Sequence, residues 1–461
     1  MADSPTFDNK MSDAEGLMWR MEKDPHLSST FANVTILDKR PDMDRMMRTM
    51  ERATHVVPRL RQRVQPAPAN LTAPMWVDDT NFDLKYHIRH IALPKPGNLR
   101  QLLDLASIVT ADPFDRTRPL WQFTVVEGLR GGKCALIQKL HHTITDGEGG
   151  VKLSLEFLDF AADAPERPPH NPDDIAAARE QAQPSSSETL RDLVAGSLRM
   201  PLGLLRQVRE LLADPTQLPE AGNAAADTIR GIISQLSDVE QAHSPIWTQR
   251  SLRRQIEVLQ APYAETRAVA AKLGGKLNTA FLTVAAEASS RYHIALGAPV
   301  DTLRASMAIS TRGESSGANA FSLARIEVPT SAMSVAERFI AINEASQAAR
   351  DSAAPASLET LAAVASTLPT SLVTRLARTQ AHTVDFATSN VRGAPVALFM
   401  SGAQVLQNYP VGPLGGVAFN LTLLSYMGSL DMGANIDTAA VADPALLHRC
   451  LVGAFTDLLA I

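Results

Sequence analysis

The chain has 461 residues, 45% hydrophobic and 20% charged, so it can bury a sizeable core and wholesale disorder is excluded. Its 44 Lys and Arg stand against 49 Asp and Glu, a net charge of -5 that argues against a nucleic-acid binder built on a basic face. Two distant cysteines, Cys134 and Cys450, exclude a disulfide scaffold and a cysteine-ligated metal module, and fit a reducing compartment.

From about residue 10 to 160 the pattern is that of a compact α/β unit. Ser12 with Glu15 three positions on is a capping box, opening a short helix toward Trp19. Phe31 to Leu37 (FANVTIL) reads as a strand. Asp42 to Ala53 reads as a helix, with Met43, Met46, Met47 and Met50 as core packing. Trp121 to Val126 and Cys134 to Leu140 are two strands joined by a Gly-containing turn at 128–132, a hairpin. Pro165, Pro168, Pro169, Pro172 and Pro184 mark 163–187 as linker. Leu190 to Leu212 follows, a basic amphipathic segment suited either to an anionic membrane surface or to the body of the protein.

The second half again mixes helices and strands. Tyr263 to Leu273, Thr279 to Tyr292, Val335 to Ala349 and Pro444 to Leu459 read as helices. Thr302 to Ile309 and Ser322 to Val328 read as strands, and Thr422 to Tyr426 pairs with Ser429 to Ile436 about a turn at Gly428. The expected organisation is a first lobe over 1–162, a Pro-rich and amphipathic connection over 163–246, and a second lobe over 247–461. No apolar run approaches the roughly 20 residues of a membrane-spanning helix. The polar, acidic first residues do not read as a secretory signal, so the expectation is a cytoplasmic protein.

One stretch carries chemistry: Lys139-Leu140-His141-His142-Thr143-Ile144-Thr145-Asp146-Gly147, at the end of a strand and before a helical run. If strand geometry persists, His141 and His142 point to opposite faces, so only one imidazole works in a given cleft. Imidazole suits proton acceptance and return near neutral pH. Asp146 can fix a tautomer or hold the loop against an arginine. Gly147 lets a bulky ligand approach. A metal alternative stays open, since His142 and Asp146 could supply two ligands, although a third and fourth are not evident nearby.

HHTITDG matches the HHxxxDG signature of the CoA-dependent acyltransferase superfamily. Nearly end to end, the chain further resembles the bacterial wax ester synthase/diacylglycerol acyltransferase family. The resemblance rests on Ser12-Asp13-Ala14 with Glu22, Arg118-Pro119-Leu120-Trp121, Ser389-Asn390-Val391 with Gly393 and Pro395, Tyr409 to Leu414, and Leu424 to Leu430. Three positions depart from the family pattern: Thr279 follows Asn278, Ala308-Ile309 precedes Ser310, and Arg392 follows Ser-Asn-Val.

The resemblance implies an α/β fold of two chloramphenicol-acetyltransferase-like lobes, mixed sheets flanked by helices, with a tunnel between them. It implies transfer of a long-chain acyl group from acyl-CoA, a co-substrate rather than a cofactor, to diacylglycerol or a fatty alcohol. His142 is then the general base, with His141 and Asp146 beside it. Asp146 holds the motif loop, against Arg304 or Arg312. Asn278, Ser389 and Asn390 are the candidate oxyanion donors, and no metal is required. Pro119-Leu120-Trp121 is architectural. Expected partners are the two lipid substrates and a peripheral membrane or lipid-droplet surface, with no nucleic acid. Two rivals are a carrier-protein-dependent condensation enzyme and a catalytically weak lipid-binding paralogue.

Overall fold

The computed structural model describes residues 9–66, 73–145, 147–168, 241–310, 321–352, 362 and 370–461. In chain order the first half forms α1 (Asp13–Met21), β1 (Thr30–Leu37), α2 (Met43–Val56), β2 (Gln62–Gln65), β3 (Met75–Asp78), α3 (Leu84–His87) and β4 (Ile88–Ala92). Then come α4 (Leu99–Ala111), β5 (Trp121–Glu127), β6 (Cys134–His141) and α5 (Gly147–Ser154). The second half forms β7 (Arg254–Pro262), α6 (Tyr263–Lys272), α7 (Leu277–Ala295), β8 (Thr302–Ser310), β9 (Phe321–Pro329) and α8 (Val335–Ser352). It continues with α9 (Thr370–Ala381), β10 (Phe386–Val391), β11 (Phe399–Met400), β12 (Ala403–Val411), β13 (Phe419–Tyr426), β14 (Ser429–Asp437) and α10 (Pro444–Leu459).

Local sequence accounts for many of these boundaries. The Ser12 hydroxyl accepts from Glu15 N–H while the Glu15 carboxylate accepts from Ser12 N–H, a complete capping box. Asp42 caps α2, whose Met46 and Met50 are fully buried. Pro444 sits in the first turn of α10 behind the Asp443 cap. The β13–β14 hairpin turns on Met427 and Gly428, with φ of 47° and 81°, the paired left-handed conformation of a tight two-residue turn.

Two six-stranded mixed sheets organise the chain. The first has the order β11-β12-β1-β6-β5-β4 and the second β7-β14-β13-β10-β8-β9. The expected lobe boundary at residue 247 therefore does not confine the first sheet. β12, far into the second half, pairs antiparallel with β1, and β11 pairs with β12 to complete the sheet. The Asp431 carboxylate of β14 accepts from Asn408 N–H at 2.6 Å, so β12 is bonded to both sheets. Gly433 permits the approach: a Cβ there would lie 2.1 Å from the Pro410 carbonyl oxygen.

Among the described residues four apolar clusters form, three of them against the two sheets and a small one between α1 and α9. One face of the first sheet packs on α2, Trp19 and Trp76, and the other on α4 together with Ile256 and Val258 of β7. Within the second lobe α7 is buried on all sides, as its Ala-rich sequence permits. Arg100 of α4 ties the halves together, pairing with Glu257 at 2.7 Å and donating to the Ile256 carbonyl at 3.0 Å. Of the expected connection, 169–240, including the amphipathic segment, lies outside the described residues. Its last residues are anchored, with the His243 and Ser244 N–H groups donating to the buried Asp385 carboxylate.

Candidate active site

The motif sits where β6 ends. Thr30 of β1 pairs with His141, and Trp121 of β5 pairs with Leu140, so the strand is held on both sides up to its last residue. His141 is 1% exposed. Its Nε2 lies 3.1 Å from Glu22 Oε2, while its Nδ1 accepts from Thr143 N–H at 3.1 Å and meets Thr143 Oγ1 at 2.8 Å. A backbone N–H can only donate, so Nδ1 is the acceptor and Nε2 carries the proton toward Glu22. Glu22 also accepts from Ser28 Oγ and Ser29 N–H, both at 2.7 Å. Burial pushes this carboxyl up, but the bonds from His141, Ser28 and Ser29 outweigh it and leave the group below its ordinary value.

His142 falls beyond the strand, on the turn closed by Ile144 N–H to the His141 carbonyl at 2.9 Å. Its own N–H donates to the Ser29 carbonyl at 3.1 Å, and its half-buried ring rests on Phe31, centroids 4.7 Å apart. The two histidines thus serve different surroundings, as alternation at the end of a strand expects. Asp146 lies outside the described residues, as does Arg312, one of its two expected partners. The other, Arg304, pairs with Glu327 at 2.6 Å in the second sheet. Gly147 opens α5, whose Gly150 passes close to the Phe31 ring.

The candidate oxyanion donors stand on the second sheet and its helix. Asn278, in the first turn of α7, donates to Met307 Sδ at 2.7 Å, a weak acceptor. Met307 pairs with Thr388, so alternation sets Ser389 on the other face of that sheet from the Met307 side chain that Asn278 touches. Ser389 is half-buried and Asn390 exposed. Val391, next in line, packs against the same apolar cluster as Leu140 and Ile144 of the motif. Leu120 and Trp121 are each 1% exposed, and Trp121 Nε1 donates to the Leu60 carbonyl at 2.8 Å, which is the architectural role. Among the described residues no three His, Cys, Asp or Glu side chains come together in a group that could hold a metal ion.

A cleft with about 520 Å³ of empty space lies between the first sheet, α5 and the 393–400 stretch. Its walls are apolar, including Val151, Leu155, Leu398 and Leu424, while Asn33, Thr35, Gln138 and Asn408 stand on its floor. None of these four polar residues was singled out from sequence. The signal was available in FANVTIL, where Asn33 and Thr35 alternate with Ala32, Val34 and Ile36. On the opposite face of β6, Lys139 is 2% exposed, bonded to the Asp112 carbonyl and set over the Phe114 ring at 4.3 Å. Burial lowers its ammonium to about 8.

Comparison with known proteins places this architecture. The profile of the wax ester synthase/diacylglycerol acyltransferase catalytic domain matches residues 11–281, and that of the family's C-terminal domain matches 317–459. A putative diacylglycerol O-acyltransferase of Mycobacterium tuberculosis H37Rv is 31% identical over 100% of this chain and 93% of its own. The solved wax ester synthase/diacylglycerol acyltransferase from Marinobacter aquaeolei VT8 superposes with a TM-score of 0.67 at 20% identity, covering 97% of this chain and 98% of its own. The first condensation domain of the calcium-dependent antibiotic synthetase shares the fold with a TM-score of 0.57 at 14% identity, over 99% and 96% of the two chains. The fold and motif are those of a two-lobed acyltransferase. The chain belongs to the wax ester synthase/diacylglycerol acyltransferase family.

Proposed function

We propose that the protein moves a long-chain acyl group from acyl-CoA to the hydroxyl of diacylglycerol or a fatty alcohol, with His142 as general base. The observation that carries this reading is the division of labour in the motif. His141 is committed to Glu22 and Thr143, whereas His142 is half-buried on a turn against Phe31, two positions along β1 from Asn33 on the floor of a cleft with apolar walls. In the proposed reaction the acceptor O–H gives its proton to the His142 imidazole as the oxygen attacks the thioester carbonyl. The C–S bond then breaks, and the thiolate, whose conjugate acid has a pKa near 8.5, recovers the proton from the imidazolium. Ser389, on the sheet face whose Val391 packs with the motif's apolar cluster, is the proposed donor to the oxyanion between these steps.

Among the described residues no helix is long and apolar enough to cross a membrane. Lipid substrates nevertheless have to be met at a surface, and we read the protein as a peripheral visitor to a membrane or droplet. Purified protein incubated with palmitoyl-CoA and either dipalmitoylglycerol or hexadecanol should release triacylglycerol or wax ester, and His142→Ala should abolish the product while the fold is kept. Near-normal turnover by that variant would sink the mechanism. Activity only with acyl groups on a carrier protein would replace the substrate assignment.

A further inference from the structure

The cleft beside His142 has a floor that a channel for a hydrocarbon chain would not need. β12, β1 and β6 lie side by side, with Asn33 opposite Gln138 and Thr35 opposite Asn408. These residues form two polar rungs on one face of the sheet. Alternate positions of a strand repeat at about 7 Å, and Phe31, the next such position toward the motif, touches the His142 ring.

The rungs are only partly satisfied by one another. Asn33 Nδ2 donates to Thr35 Oγ1 at 3.1 Å and to Asn408 Oδ1, and Thr35 Oγ1 donates to Asn408 Oδ1 at 2.9 Å. Asn33 Oδ1 is left buried without a hydrogen bond. Among the described residues nothing bonds to the Gln138 amide, although the residue is only 6% exposed, or receives a bond from Asn408 Nδ2. The floor therefore presents unmet donors and unmet acceptors together.

That combination discriminates between ligands. A methylene chain offers these groups nothing, and buried polar groups left unmet are unfavourable. Ester carbonyls only accept, so they satisfy the donors and leave the Gln138 amide oxygen unmet. A secondary amide does both. The pantetheine arm of coenzyme A carries two amides separated by two methylenes, which repeat at about 5 Å when extended, within side-chain reach of both rungs.

We infer that Asn33 and Gln138 form one subsite, and Thr35 and Asn408 a second, for the two amides of the pantetheine arm, with the thioester sulfur toward His142. This inference rests on the acyl-CoA reading above. Val151 and Leu155 then pack on the intervening methylenes, and the residues of the floor select a CoA thioester over a simple thioester.

The test is binding of thioethers that cannot be turned over: S-hexadecyl-coenzyme A, N-acetyl-S-hexadecylcysteamine with one amide, and S-hexadecyl-2-mercaptoethanol with none. Affinity measured by calorimetry should fall along this series. Gln138→Met and Asn408→Leu should each shrink the preference for the coenzyme A compound over the amide-free one by about tenfold. Thr35→Val, nearly isosteric, guards against misfolding of the other variants and should shrink it in the same direction. An unchanged preference in folded variants overturns the inference, as does a loss confined to diacylglycerol affinity, which would make this the acceptor's site. Turnover with palmitoyl-CoA is scored separately: its absence defeats the proposed function, whereas an unchanged binding preference defeats only the pantetheine subsite.

Discussion

His141 Nε2 lies 3.1 Å from Glu22 Oε2, joining the last residue of β6 to the C-cap of α1 across 119 residues of sequence. The same carboxylate accepts from Ser28 and Ser29, just ahead of β1, and Ser29 in turn takes the N–H of His142. One half-buried anion thus fixes the His141 ring and, one bond further on, the backbone of His142, the proposed general base.

Glu22→Gln is expected to lower stability at pH 7 by about 1–3 kcal/mol, because it removes the charge from three partly buried hydrogen bonds. The folded-state pKa of Glu22 lies below its ordinary value of 4.5, so its contribution is present above pH 4.5 and is lost as pH falls through the folded value. Urea unfolding of both proteins between pH 7 and pH 3 should therefore show curves that converge in acid. A difference that stays constant with pH would remove the carboxylate from the account.

Lys139 works in the opposite sense. With a folded pKa of about 8 against an ordinary 10.5, the unfolded chain binds the extra proton between those values, so stability rises with pH across that window. Below pH 8 the buried ammonium is a liability. Lys139→Met should stabilise the protein by roughly 1–3 kcal/mol at pH 7, with the gain shrinking by pH 10. Destabilisation at both pH values would show that the Asp112 and Phe114 contacts outweigh desolvation.

Removal of a preorganised oxyanion donor lowers kcat by about 100-fold or more. Ser389→Ala should do so in steady-state assays with little change in KM for palmitoyl-CoA. Wild-type kcat in that variant would return Ser389 to a purely structural place in the second sheet.

Gly433→Ala puts a methyl group 2.1 Å from the Pro410 oxygen, where β14 and β12 meet. Overpacking of this kind destabilises by about 1–3 kcal/mol. A lowered Tm is expected, and an unchanged Tm would mean that the two sheets part freely at that point.

Much of the local structure was legible because local rules wrote it: the Ser12 cap, the buried methionines of α2 and the turn at Gly428 all follow from neighbours in sequence. The motif itself was equally plain. What the pattern hid was pairing at a distance. Nothing within Tyr409 to Leu414 says that its strand leaves the second lobe to lie beside β1, because period-two alternation is the same whichever sheet receives it. Glu22 was noticed only as part of a resemblance, and its bond to His141 depends on how α1 returns to β6. The polar floor of the cleft was missed because Phe31 to Leu37 was read as apolar overall, whereas its two faces differ.

The position of β12 also sets a timetable for synthesis. β6 and the motif leave the ribosome roughly 260 residues before the strand that covers the open edge of β1. At about 5–20 residues per second that is a delay of roughly 13–50 s. Throughout it the nascent chain carries a bare strand edge beside its histidine pair, and an edge of that kind is a template for pairing with other chains. Newly made protein therefore leaves that edge uncovered until residue 411 emerges.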